Sequence, residues 1–289
     1  MIKLIASDMD GTLLDNDMQI SPENVAAIKE AQARGIEFIV ATGRNREEAV
    51  PALSAAGINC AMVTLNGAHV FDPTGQSLFI VPIPYEEACR LFDLLESRDI
   101  YFEVFTNQGL YSENQEERIQ LFAEHIAEIM PHLTHKMAIA MTAAHLEQLP
   151  IIHTENIRQT LLDEELEVLK IICFHNEGPA ILGPVAAEID RYGDLVVTSS
   201  GTNNLEINHK NAQKGIAVAH IAKDRGIDLA DVMTIGDNLN DLSMIQLAGV
   251  SFAMENAHLE LKENAKYHTD SYLNSGVGKA ILRAINEEL

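Results

Sequence analysis

Short, mostly apolar runs separated by helix-length stretches set the rhythm of the first eighty residues. Ile2-Lys3-Leu4-Ile5-Ala6-Ser7, Ile36-Glu37-Phe38-Ile39-Val40-Ala41 and Ala61-Met62-Val63-Thr64-Leu65 lack the strict polar alternation of a half-exposed strand. Each reads as a strand of a parallel sheet, buried on both faces. Between the first two, Ser21-Pro22 offers an N-cap and a proline at the first helical position, and the helix it opens runs to about Arg34 and stops at Gly35. A second helix follows Thr42-Gly43-Arg44 and ends near Gly57, and Asp72-Pro73-Thr74-Gly75 predicts a short hairpin turn.

The pattern changes near Pro82-Ile83-Pro84. A helix carrying Ala88, Leu91, Phe92 and Leu95 on one face precedes Tyr101-Phe102-Glu103-Val104-Phe105-Thr106, which alternates and turns at Asn107-Gln108-Gly109 into Leu110-Tyr111. Similar strands recur at 168–174, 195–199 and 204–207, with helices between them. One-sided alternation of this kind predicts an antiparallel sheet backed by helices. The acid-rich stretch from Glu113 to Glu128 predicts a helix with a solvated face. From about Asn211 the first pattern returns: a helix after Lys214-Gly215, a strand at Val232-Met233-Thr234-Ile235, a helix from Asn240, a strand at 249–253 and a closing helix from about Gly278. The chain of 289 residues has room for two domains of about 150 residues. The expected fold class is therefore α/β: a Rossmann-like parallel-sheet core over 1–82 and 208–289, with an inserted α+β domain over 83–207.

Composition narrows the function classes. The formal charge is −23, from 43 acidic and 20 basic residues, which argues against nucleic acid or an anionic membrane as partner. An anionic substrate must then be drawn by a local cationic site. No apolar run approaches the roughly 18 residues of a membrane span, and the N-terminus reads as a strand without a signal-peptide layout. Cys60, Cys89 and Cys173 sit singly in apolar segments, as expected of free thiols in a reducing compartment. A cytoplasmic protein, monomer or weak homodimer, is expected.

The candidate chemistry lies where strands end. In open α/β sheets the ligand site lies beyond the carboxyl ends of the strands, and the first strand delivers Asp8-Met9-Asp10-Gly11-Thr12 there. On an extended chain residues two apart point the same way, so Asp8 and Asp10 can address one centre. Two carboxylates so close need a cation, and hard oxygen donors suit magnesium. Gly11 lets the backbone turn, and Thr12 is a candidate cap for the segment after it. An Asp-Gly turn closing a strand is the structural alternative. Three further loops join this one: Thr42-Gly43-Arg44 after the second strand, Lys214-Gly215 opening a helix, and Gly236-Asp237-Asn238-Leu239-Asn240-Asp241 after a later strand. Two decoys drop out. Gly276-Val277-Gly278-Lys279 has Leu273 where a phosphate-binding loop needs glycine, and Ala280 where it needs a hydroxyl. His132 and His135 lack further ligands at zinc spacing.

Taken in order, these residues resemble the four motifs of the haloacid dehalogenase superfamily: Asp8 to Thr12 the first, Thr42 the second, Lys214 the third, and Gly236-Asp237 with Asn240-Asp241 the fourth. The inserted unit, Asn66-Gly67-Ala68 before it, and Phe252-Ala253-Met254-Glu255-Asn256-Ala257 resemble the Cof-type subfamily with a type IIB cap. Glu255 stands where glycine is common, and Ala212-Gln213 where Val-Ser or Val-Asn is. The resemblance implies a magnesium-dependent phosphatase of small phosphorylated metabolites, most readily sugar phosphates. Asp8 would be the nucleophile forming an aspartyl-phosphate, and Asp10 the acid and base. Thr42, Gly43 and Lys214 would contact the phosphoryl group. Asn240, Arg44 and Asn66 would be further substrate or phosphate contacts. Mg2+ would be held by Asp8, the Asp10 carbonyl and Asp237, with Asp241 orienting a metal-bound water. A sugar phosphomutase passing the phosphoryl group to a second hydroxyl is the nearest alternative, and a receiver-like phospho-acceptor module a non-enzymatic one. Tyr111, His175 and Asn203 are candidate contacts from the inserted unit.

Overall fold

The computed structural model describes residues 1–114, 116–121, 123, 134–146, 151–199 and 201–287. The chain divides into two compact units, Met1–Val81 with Asn211–Leu289, and Pro82–Lys210. The first is built on an eight-stranded sheet of β1 (Leu4–Ser7), β2 (Glu37–Ala41), β3 (Ala61–Thr64), β4 (His69–Phe71), β5 (Ser77–Ile80), β12 (Val232–Gly236), β13 (Val250–Ala253) and β14 (Tyr267–His268). The spatial order is β14-β13-β12-β1-β2-β3-β4-β5. The six strands from β14 to β3 are parallel, while β3, β4 and β5 form an antiparallel meander through the expected turn at 72–75.

Both faces of this sheet are covered, as the unbroken apolar runs require. Ile5, Phe38, Val40 and Met233 pack under the helices Pro22–Ala33 and Gly276–Ile285, whereas Leu4, Ala6, Ile39 and Val232 pack against the helix Lys214–Asp224 on the other side. Ser21 caps its helix by accepting from the Asn24 amide at 3.2 Å, with Pro22 at the first helical position. The glycines of 276–279 serve helix packing. Gly278 lies against Asn24, where an added Cβ would sit 3.0 Å from Oδ1, and its amide donates to that oxygen at 2.8 Å. Lys279 pairs with Asp270.

The second unit carries a six-stranded sheet of β6 (Tyr101–Thr106), β7 (Leu110–Ser112), β8 (Ile151–His153), β9 (Val168–Phe174), β10 (Leu195–Thr198) and β11 (Asn204–His209), in the order β10-β11-β9-β6-β7-β8. It is antiparallel except for one pair: β8 runs parallel to β7, a strand the alternation pattern does not mark. Ala88, Leu91, Phe92 and Leu95 of the helix Tyr85–Glu96 are all buried against Val104, Ile171, Cys173 and Ile207. His132 and part of the acid-rich stretch 113–128 lie outside the described residues.

Asn24 is fully buried and supplies a hydrogen-bond partner to the first turn of the closing helix. Asn24→Leu keeps the volume but orphans the Gly278 amide. It is expected to lower the unfolding free energy by about 1–3 kcal/mol, read from urea denaturation; an unchanged midpoint would show this bond to be dispensable.

Candidate active site

The strand order alone gathers the chemistry. β12, β1, β2 and β3 are parallel neighbours, in register at Ser7 with Ile235 and Val40. The residues that follow them, Asp237, Asp8, Thr42 and Leu65-Asn66, therefore line one edge of the sheet. Lys214 reaches the same edge from the first position of its helix.

Asp8 is 4% exposed and Lys214 is fully buried. Lys214 Nζ donates to Asp8 Oδ1 and to Asp241 Oδ1, both at 2.7 Å, joining residues 206 and 27 positions apart. Asp241 is anchored on its other side as well: its Oδ2 accepts from the amides of Asp237 and Asn238 at 3.0 and 3.1 Å. Asp237 accepts from Thr12 Oγ1 at 2.9 Å. Thr12 thus holds a carboxylate 225 positions away instead of capping the segment after it. Two glycines make the crowding possible. A Cβ on Gly11 (φ +72°) would lie 2.5 Å from Asp237 Oδ2, and one on Gly236 would lie 2.6 Å from the Asp241 carboxyl.

Carboxylate oxygens of Asp8, Asp237 and Asp241 lie within 4.8 Å of one another. One ammonium among three acids leaves surplus negative charge in a desolvated place, and the titration behaviour records it. Burial, then the charge of Asp241, pushes Asp8 well above the usual carboxylate range against the pull of Lys214. Burial and Asp241 likewise raise Asp237 to about 6. Burial disfavours the Lys214 charge, but Asp241 and Asp8 outweigh it and hold its pKa above the ordinary lysine value. Hard oxygen donors with uncompensated charge fit a divalent cation.

β1 ends at Ser7, and past Asp8 the amides of Thr12, Leu13 and Leu14 all turn back to the Met9 carbonyl. The Asp10 side chain is 51% exposed and is gripped by Arg44, whose Nε lies 2.8 Å from Oδ2. Thr42 is fully buried, its Oγ1 accepting from the Arg44 amide at 3.1 Å, with Gly43 between them. Asn66 Oδ1 accepts from Asn240 Nδ2 at 3.1 Å. Asp8, Lys214, Asp237 and Asp241 thus share one bonded cluster, which the pairs Asp10–Arg44 and Asn66–Asn240 flank. In the second unit Tyr111 is buried with its hydroxyl donating to Glu164, and His175 Nδ1 accepts from the Glu177 amide. The His175 amide in turn donates to the Asn203 carbonyl.

Sequence reasoning assigned no role to Asn256. Its Nδ2 donates to the Gly11 carbonyl at 2.8 Å and lies 3.4 Å from Asp237 Oδ2, so it steadies the first and fourth loops together. Its one signal was its place in the 252–257 stretch.

A family model described as haloacid dehalogenase-like hydrolase matches residues 5–281. The phosphatase YwpJ of Bacillus subtilis is 31% identical over 269 residues, covering 91% of this chain and 93% of the relative. The 5-amino-6-(5-phospho-D-ribitylamino)uracil phosphatase YwtE of the same organism is 33% identical over 281 residues, covering 96% of each. A solved haloacid dehalogenase-like hydrolase from B. subtilis superposes with a TM-score of 0.82 at 30% identity, covering 97% of this chain and 99% of that one. The fold is an α/β core of the haloacid dehalogenase type, with an inserted α+β cap domain. The chain belongs to the haloacid dehalogenase-like hydrolase family, and it is an enzyme of the phosphatase kind found among its relatives.

The raised pKa of Asp237 has a consequence for stability. Its folded value of about 6 lies above the ordinary 3.8, so the folded state binds the extra proton. The stability this contributes is present at low pH and is lost as pH rises from about 4 through about 6. In chelator at pH 7, Asp237→Asn is expected to raise the unfolding free energy by on the order of 1–3 kcal/mol and to flatten that decline. Urea denaturation across pH reads both, and a variant less stable than wild type at pH 7 would contradict the reading.

Proposed function

We propose that this phosphatase is magnesium-dependent and hydrolyses small phosphorylated metabolites, sugar phosphates foremost, through an aspartyl-phosphate on Asp8. The observation that carries the reading is the Asp8 carboxylate, buried at the end of β1 and 2.7 Å from the Lys214 ammonium, beside Asp237 and Asp241. A charge-paired carboxylate at the sheet edge suits attack on a phosphoryl group, because a neighbouring cation offsets the charge that accumulates.

An Asp8 oxygen forms a bond to phosphorus while the bond to the leaving oxygen breaks. Asp10 gives that oxygen a proton, for which it must exchange its pairing with Arg44 for the substrate. Asp10, then a carboxylate, takes a proton from water. The water oxygen bonds to phosphorus, inorganic phosphate leaves, and the Asp8 carboxylate is restored. The Thr42 hydroxyl, the Gly43 amide and Lys214 hold the phosphoryl oxygens, and Asn240 with Asn66 borders them. Asp8, Asp237 and the Asp10 carbonyl would hold magnesium. Asp241, whose oxygens are all engaged by Lys214 and backbone amides, orients that set. When bound, the ion neutralises the surplus carboxylate charge and polarises the phosphoryl group.

The inserted domain over 83–207 supplies substrate choice in this reading. The name of the relative YwtE specifies a phosphorylated ribityl compound, which makes sugar and polyol phosphates the first panel to test. The charge of −23 supports a small-molecule partner over nucleic acid or membrane. No helix among the described residues is long and apolar enough to cross a membrane, and a cytoplasmic location fits the free cysteines.

Turnover of p-nitrophenyl phosphate with magnesium tests the chemistry. Asp8→Asn is expected to lower kcat by about 10³-fold or more, and undiminished turnover would remove Asp8 as nucleophile. Phosphate release against isomer formation on sugar phosphates separates hydrolysis from a mutase. Chelation is expected to abolish turnover and magnesium to restore it; activity persisting in chelator would overturn the metal assignment.

A further inference from the structure

The turn after β3 is the most strained stretch of backbone beside the site. Leu65, Asn66 and Gly67 have φ of +50°, +59° and +104°, three consecutive residues in a region that L side chains avoid. Strain of this kind persists only where the surroundings enforce it, and here the ties are explicit. The Leu65 amide donates to the Arg44 carbonyl at 2.9 Å and the Asn66 amide to the Thr42 carbonyl at 3.0 Å. The turn therefore rides on the loop that carries Thr42, Gly43 and Arg44.

Its far side meets the helix that carries Lys214. A Cβ on Gly67 would lie 2.6 Å from the Gln213 carbonyl oxygen, 2.7 Å from its carbon and 3.0 Å from its nitrogen. All three are backbone atoms, so no side-chain rotation can relieve the clash. That same Gln213 oxygen accepts the first helical bond, from the Ala217 amide at 3.0 Å. On the other side of Lys214, a Cβ on Gly215 would lie 2.4 Å from the Ser243 backbone, and the Gly215 amide donates to Ser243 Oγ at 3.0 Å. Lys214 thus starts its helix between two glycines, each packed against backbone with no room for a side chain.

We propose that Gly67 is a positioning residue: by pressing on the Gln213 backbone it sets the reach of Lys214 to Asp8 and Asp241, and couples that reach to the Thr42–Arg44 loop. The proposal rests on the reading of Lys214 as the cation that holds the phosphoryl group. An added methyl at 67 pushes Gln213, and with it the root of Lys214, away from the cluster. Misplacements of about 1 Å at a reacting centre cost up to 10²-fold in rate.

The test compares Gly67→Ala with Gly35→Ala. Gly35 also has positive φ (+80°) but nothing within 4 Å, so it carries the conformational cost without the push. With p-nitrophenyl phosphate and magnesium, Gly67→Ala is expected to lose about 10- to 100-fold in kcat and to bind the inhibitor inorganic phosphate about tenfold more weakly. Gly35→Ala is expected to lower the melting temperature with kcat, KM and phosphate inhibition unchanged. Simple loss of folded protein lowers the apparent rate but leaves the KM and the inhibition constant of the remaining enzyme. A folded Gly67→Ala enzyme with wild-type kcat and inhibition overturns the proposal. Should Gly67→Ala not fold, Gly215→Ala pushes the same helix start from the Ser243 side and is read against the same outcomes. Lys214→Ala keeps the two readings apart. If it is inactive while Gly67→Ala is unimpaired, only the positioning role falls; if it retains wild-type kcat, the role of Lys214 itself falls.

Discussion

Three carboxylates crowd one buried ammonium, and most of the architecture around the site comes from keeping them there. Lys214 alone does not balance Asp8, Asp237 and Asp241, so the cluster stores electrostatic cost that burial amplifies. Such a cluster persists only if its members cannot swing apart. Asp241 is pinned on both oxygens, and Thr12 reaches across 225 positions to hold Asp237. Gly11 and Gly236 remove the side chains that would otherwise fill the space between the acids.

The parallel sheet is the device that makes this assembly simple to specify. Because β12, β1, β2 and β3 run side by side in one direction, each needs only to place its chemistry just past its carboxyl end. Convergence then comes from strand order, not from long side chains. The strained turn at 65–67 extends the scheme: its main chain binds the second loop, and its glycine abuts the root of the third.

Asp10 and Arg44 illustrate a different arrangement. Their ion pair lies at the exposed margin of the site, flanking the buried cluster. In the proposed mechanism Asp10 protonates one group and then deprotonates another, and a partner that it can leave and rejoin suits that role. Asp241, by contrast, is buried with both oxygens engaged by Lys214 and backbone amides.

Much of this was legible in the residue order. Unbroken apolar runs announce two-sided burial, and the helix faces at 88–95 and the cap at Ser21-Pro22 are local facts of periodicity and backbone chemistry. The alternating strands of the inserted unit are equally local. β8, three residues long, and β14, two residues long, are too short to carry a period, and both are strands only because a neighbour offers them hydrogen bonds. The same limit applies inside the site. The residue order, with the family resemblance it carries, put forward Asp8, Thr42, Lys214 and Asp237 as candidates, because each loop taken alone would pass for a turn, a cap or a solvated lysine, and only their succession at strand ends sets them apart. Tertiary structure alone decided their partners: that Thr12 holds Asp237, that Asp10 turns to Arg44, that Asn256 bridges two loops and that Gly67 bears on Gln213. Those choices depend on distances between segments remote along the chain, and only strand order and helix packing set such distances.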